Sequence, residues 1–196
     1  MPDMYAEFEA VRESAFSGTA TEDGMHALLG RWRHLLGPDA FERGMAVDYA
    51  ADVKRLAVWF ESALEKEPAL RGMEALCFTL CTRDNGIFDL RLTGSDCFIV
   101  ETDSFFEDTI YSESVIPENS HSESKALGAL SGILPDAASE DAAALVPYAY
   151  AVLAVSEICR GMDFAPGMDR DGIRVVIVHE YGFPLVIGNI GRHRAA

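Results

Sequence analysis

Residues 142–158 place apolar side chains on nearly every face of the helix they predict: Ala142, Leu145, Val146, Tyr148, Tyr150, Val152, Leu153, Val155 and Ile158. A helix without a polar stripe has no side to offer to water, so the rest of the chain must enclose it. Ser139 precedes it as a cap, and Glu140 and Asp141 occupy the first turn, where the helix dipole favours anions. The helix runs to about Arg160 and stops at Gly161; Pro147 either kinks it or marks the first turn of its long part. Its nearly uncharged stretch, 142–156, falls short of the roughly 20 residues that span a bilayer. We therefore expect this to be the most buried helix, packed across a sheet.

The strands that would form that sheet lie on either side of it. Residues 76–83 and 87–93 flank Asp84, Asn85 and Gly86, a hairpin signal. A two-residue Asn-Gly loop would pair Leu90 with Cys81 and mix the faces. A three-residue loop pairs Leu90 with Leu80 and Leu92 with Phe78, and it gives Gly86 the left-handed bulge position. One face then holds Phe78, Leu80, Phe88, Leu90 and Leu92, and the other Cys77, Thr79, Cys81, Arg83, Asp89 and Arg91. Further strands are expected at 97–103, in either of two registers, and at 107–116. A second hairpin joins 173–179 to 183–190. Val175, Val176, Ile177 and Val178 show no alternation, which predicts a central strand covered on both faces.

Upstream of residue 68 the period is helical. Asp3 caps a helix with Tyr5, Phe8, Val11 and Ala15 on its apolar face, ending near Gly18. Thr21 is expected to cap the next, which carries Leu28, Leu29, Trp32, Leu35 and Leu36 and meets a stop at Gly37-Pro38. Trp32 is assigned to the core and its neighbours Arg31 and Arg33 to solvent. Asp39 and Glu42 have capping-box spacing. Residues 47–66 form a helix with the stripe Val47, Ala50, Val53, Leu56, Phe60 and Leu64, ended by Pro68. A short helix is expected at 125–134. The fold class is α+β: N-terminal helices, then a mainly antiparallel sheet of about six strands, built as a meander plus a C-terminal hairpin, with the buried helix packed on one face. The 196 residues suit a single domain whose first 68 residues are a helical segment packed on or beside the sheet.

The charge is regional. The chain carries 16 basic and 32 acidic residues, a net −16. Between Leu92 and Ser124 there are eight acids and no Lys or Arg: Asp96, Glu101, Asp103, Glu107, Asp108, Glu113, Glu118 and Glu123. Such a surface repels nucleic acid and anionic membrane and favours cationic partners. Asp136, Glu140 and Asp141 lie near the start of the buried helix, and the helix dipole accounts for them.

Motifs for chemistry are sparse. No phosphate-binding glycine loop is present, and no EF-hand spacing. His179-Glu180 departs from the zinc-protease pattern because Phe183 stands where the second His belongs. His121 lies among serines and acids, but an exposed loop is expected to lack the buried carboxylate that orients a catalytic histidine. The four cysteines, Cys77, Cys81, Cys97 and Cys159, match neither a disulfide framework nor a zinc site and read as thiols in a reducing compartment. No basic-then-apolar leader opens the sequence, so a cytoplasmic setting is expected.

These features favour a non-catalytic acidic module whose eight acids between Leu92 and Ser124 bind a basic protein. Immunity proteins, antitoxins and chaperones are the sharpest versions, and no cofactor or metal is expected. Two alternatives stand beside it. One is a hydrolase using clustered carboxylates, with or without a divalent metal. The other is a structural domain whose sheet pairs with a second copy as a homo-dimer through a face containing Phe98, Val100 and Tyr111.

Overall fold

The computed structural model describes residues 4–100, 109–162, 164–166, 172–179 and 185–191. Five helices come first: α1 (Met4–Phe16), α2 (Thr21–Arg31), α3 (Arg33–Leu36), α4 (Pro38–Met45) and α5 (Tyr49–Lys66). Four strands follow: β1 (Ala75–Thr82), β2 (Phe88–Ser95), β3 (Phe98–Val100) and β4 (Thr109–Tyr111). Then come α6 (Lys125–Ile133), α7 (Glu140–Arg160), β5 (Phe164–Pro166), β6 (Ile173–His179) and β7 (Leu185–Ile190). The class is α+β, as expected.

Helix α7 is the apolar helix of the sequence, and Ser139 caps it by accepting the Asp141 N–H at 3.2 Å. Every residue from Leu145 to Ser156 is buried. It is long and apolar enough to cross a membrane, yet 83% of that stretch lies inside the fold. Helices α1, α2 and α5 pack against it on one side and strands β1, β6 and β7 on the other. It therefore forms a middle layer, which a helix with no polar face requires. Its Leu145, Val152, Leu153 and Val155 are fully buried, each contributing roughly 1.5–3 kcal/mol to the core. A methyl group on Gly24 of α2 would stand 3.0 Å from Leu153 Cδ1, so the small residue permits the close crossing.

The sheet departs from the expected meander. Its five strands are ordered β2-β1-β6-β7-β5, and β1 pairs with β6 in parallel. Strands β3 and β4 form a separate two-stranded ribbon. Strand β5, which is not among the expected strands, pairs antiparallel with β7. The sheet is therefore mixed, and six antiparallel strands do not form. The physical reason lies in β6. Val175 and Ile177 join the main core while Val176 and Val178 join a second apolar cluster on the other face, with Ala75, Cys77 and Phe98. A strand apolar on both faces belongs at the sheet centre, and the free side of β1 is where it gains two neighbours. The long path through α6 and α7 makes the parallel pairing possible.

The first hairpin has the predicted register: Leu80 faces Leu90 and Phe78 faces Leu92. Arg83 and Ile87 close the three-residue loop (N···O 2.9 Å), and Gly86 has φ 78°.

Among the helices, Trp32 is buried with Arg31 and Arg33 exposed, and its indole N–H reaches Glu7 Oε2 at 2.6 Å. Two expected caps are not caps. Thr21 is the first residue of α2, and its N–H donates to the Glu157 carboxylate on α7 at 2.6 Å. Asp39 lies inside the first turn of α4, which Gly37 precedes without a side-chain cap. The Asp3 cap lies outside the described residues.

Helix α5 is capped by Asp48 and carries a buried carboxylate one turn further on, Asp52, at 0% exposure. Asp52 Oδ2 accepts the hydroxyls of Ser124 and Tyr150, each at 2.5 Å. Its Oδ1 accepts the Lys125 N–H at 2.9 Å and Arg55 Nη2 at 2.9 Å. Burial alone would raise the Asp52 pKa, but the donors from Ser124, Tyr150, Lys125 and Arg55 outweigh it and hold the carboxyl below the usual range. Asp52→Ala would strand the Tyr150 and Ser124 hydroxyls and the Lys125 N–H, at a cost of about 3 kcal/mol or more. Because the folded pKa is the lower one, this stabilisation is present above the ordinary carboxylate range and lost as pH falls below it. Urea unfolding of wild type and variant from neutral pH to about pH 3 should show the difference narrowing at the acid end.

Candidate binding surface

The later part of the acidic segment, up to residue 122, lies along the outer edge of β2. Strand β2 would otherwise be an open sheet edge, and residues 113–122 cover part of it. The Gly94 N–H donates to the Val115 carbonyl and the Leu92 N–H to the Ser120 carbonyl, each at 2.8 Å, and the Ser122 N–H returns to Leu90 O at 2.9 Å. Isolated bridges join Arg91 to His121 and Gly94 to Val115. Chain that the sequence suggested as a free strand up to Ile116 is thus shared between the short β4 and this edge cover.

Of the eight acids nominated from sequence, four are described, and all four lie along or beside this edge. Asp96 accepts the hydroxyls of Ser112 (2.9 Å) and Ser114. Those bonds from Ser114 and Ser112 hold its carboxyl below the usual range. Glu113 pairs with Arg91 at 2.5 Å. Glu118 and Glu123 are exposed and form no hydrogen bond or ion pair with other described residues. Glu123 has φ 51°, a left-handed conformation uncommon for a residue with a side chain, immediately before the α6 cap Ser124. Glu101, Asp103, Glu107 and Asp108 lie outside the described residues, as do His179-Glu180 as a side-chain pair and the side chains of Val100 and Tyr111. Phe98, expected on an exposed dimer face, is buried.

The edge also holds a group that the sequence reading missed. Asp89 of β2 sits across from Cys81 and points away from α7, with its side chain only 1% exposed. Its Oδ2 accepts both Arg83 Nη2 (2.6 Å) and Nε (2.9 Å), and lies 2.8 Å from His121 Nδ1. Its Oδ1 accepts the Ser122 hydroxyl at 2.8 Å. The buried orienter that His121 was expected to lack is therefore present. Ser122 does not complete a serine triad, because the nucleophile must meet the other imidazole nitrogen and Ser122 is bonded to the carboxylate instead. Alternation had already put Asp89 and Arg83 on one face. The arrival of His121 from 32 residues away left no local signal. Chemically the cluster is a latch: one β2 carboxylate grips two side chains of the covering segment.

Among the described residues no group of three or more His, Cys, Asp or Glu is placed to hold a metal ion. None of the four thiols is in a disulfide. Burial, then the charge of Glu113, pushes the Cys77 thiol up to about 12, and burial also raises that of Cys159. Cys81 and Cys97 are half-buried. No family model matches this chain, and neither the curated proteins nor the solved structures contain a match.

Two measurements test this description. Asp89→Ala should cost about 1–2 kcal/mol and raise amide exchange at Leu92 and Gly94, whose N–H groups depend on the covering segment. Titration of the folded protein with a thiol reagent at neutral pH should label Cys81 and Cys97 within minutes and leave Cys77 and Cys159 unlabelled until unfolding, since burial denies them both the reagent and the thiolate form.

Proposed function

We propose that this protein is a non-catalytic acidic module that binds a basic protein along the covered edge of β2. Immunity, antitoxin and chaperone-type proteins are the classes this describes best, acting in the cytoplasm. The observation that carries the reading is the run of eight acids with no Lys or Arg between Leu92 and Ser124. Two further features support it. Glu118 and Glu123 are exposed with no described partner, so their charge is available to a ligand. The segment bearing them is held by backbone bonds to β2 and by the Asp89 latch, so binding would cost little ordering entropy. Exposed charges arranged this way accelerate encounter with a cationic surface more than they deepen final affinity.

Partners recovered from the native host should be basic, and their affinity should fall roughly tenfold or more between low salt and about 0.5 M salt, where the screening length is only a few Å. Glu118→Gln with Glu123→Gln should slow association several-fold and leave the melting temperature unchanged. Acidic partners, or association indifferent to both salt and these substitutions, would count against the proposal.

A further inference from the structure

Where α4, α5 and α6 meet, basic side chains gather beside acids that are already engaged. A groove of about 550 Å³ opens there, and Arg43, Arg55 and Lys125 line it with one acid, Asp48. Three of the chain's 16 basic residues thus converge from three helices on one cavity of a protein whose net charge is −16. Lys125 is the single basic residue between Leu92 and Cys159.

The acids around the groove are largely committed. Asp48 caps α5 by accepting the Ala51 N–H at 2.9 Å. Asp52 is buried beneath the groove and satisfied by its four donor residues, of which only Arg55 reaches it through a side-chain charge. Asp136 pairs with Arg43 at 2.6 Å on an exposed rim. The Lys125 ammonium is exposed and has no partner among the described residues. The start of α6 adds to the field. Ser124 takes the Leu127 N–H and Asp52 the Lys125 N–H, while the Ala126 N–H has no partner among the described residues, and Ala126 lines the groove. The floor is apolar, formed by Val47, Ala126 and Ile133.

We infer that this groove binds a small organic anion, with an oxyanion head held by Lys125 and Arg55 and an apolar body lying on the floor between α4 and α6. Arg43 can join by exchanging Asp136 for the ligand. A ligand with a head alone would leave the apolar floor unused, and a neutral one would leave Lys125 without a counter-charge; Arg55, paired with Asp52 through Nε and Nη2, keeps Nη1 to donate to the head. Carboxylate and phosphate monoester heads share the required chemistry.

Calorimetric titration with octanoate and with octyl phosphate, and with octylamine as the cationic control, tests this. At least one of the two anions should bind saturably, and which one binds identifies the head group. Lys125→Glu, a change at an exposed side chain, should weaken that binding about tenfold or more and leave the melting temperature unchanged. Arg43→Gln should also weaken it, by a smaller factor. Absence of saturable binding by both anions, octylamine binding equally well, or an affinity indifferent to Lys125→Glu would overturn the inference. These titrations contain no basic protein, so their outcome is read independently of the β2-edge proposal, even though Lys125 lies two residues from Glu123.

Discussion

A carboxylate sealed from water must be supplied with donors or it will not stay ionised, and Asp52 is supplied from three directions. Its own helix α5 contributes Arg55, the start of α6 contributes Ser124 and the Lys125 N–H, and α7 contributes Tyr150. Apolar packing brings these helices together without specifying their relative height or rotation. The Asp52 bonds do specify it, because four donors of fixed geometry must meet two oxygens. The groove of Arg43, Arg55 and Lys125 follows from that fixed arrangement, since Asp52 holds both the Arg55 guanidinium and the backbone of Lys125. The price of the device is sensitivity to acid.

Asp89 repeats the principle at the surface with a different purpose. It too is buried and ringed by donors, but these come from a hairpin end and from a segment that crosses the edge of β2. An uncovered edge strand invites pairing with other chains. Here the edge is covered by a segment that carries acids outward, so one structural solution both blunts the edge and displays the charge. The two carboxylates anchor one stretch of chain, Asp89 through Ser122 and Asp52 through Ser124, between the acidic edge and the groove of Arg43, Arg55 and Lys125.

Local chemistry made much of this legible. The α7 cap at Ser139, the three-residue loop with Gly86, the inward Trp32 and the two-faced apolar strand β6 each follow from residues close together in sequence. The sheet order did not, because β1 and β6 are separated by most of the chain and nothing local distinguishes a parallel neighbour from an antiparallel one. The cap assigned to Thr21 failed for the same reason: the acceptor is Glu157, on another helix. Asp52 was hidden within an apolar stripe, where an acid in the first turn of a helix reads as a dipole partner rather than as a buried hub. At the candidate site, sequence located Asp96, Glu113, Glu118 and Glu123, but the distinction between engaged and free acids came only from Arg91 and the serines being brought alongside.

Sequence alone determined the main helices, the first hairpin, the enclosure of α7 and the region of negative charge, because periodicity, turns and charge counts act over a few residues. Tertiary structure decided which strands are neighbours, which acids are satisfied, and that three cations from α4, α5 and α6 share one groove. Those outcomes depend on desolvation and donor geometry, and both exist only once distant parts of the chain are in contact.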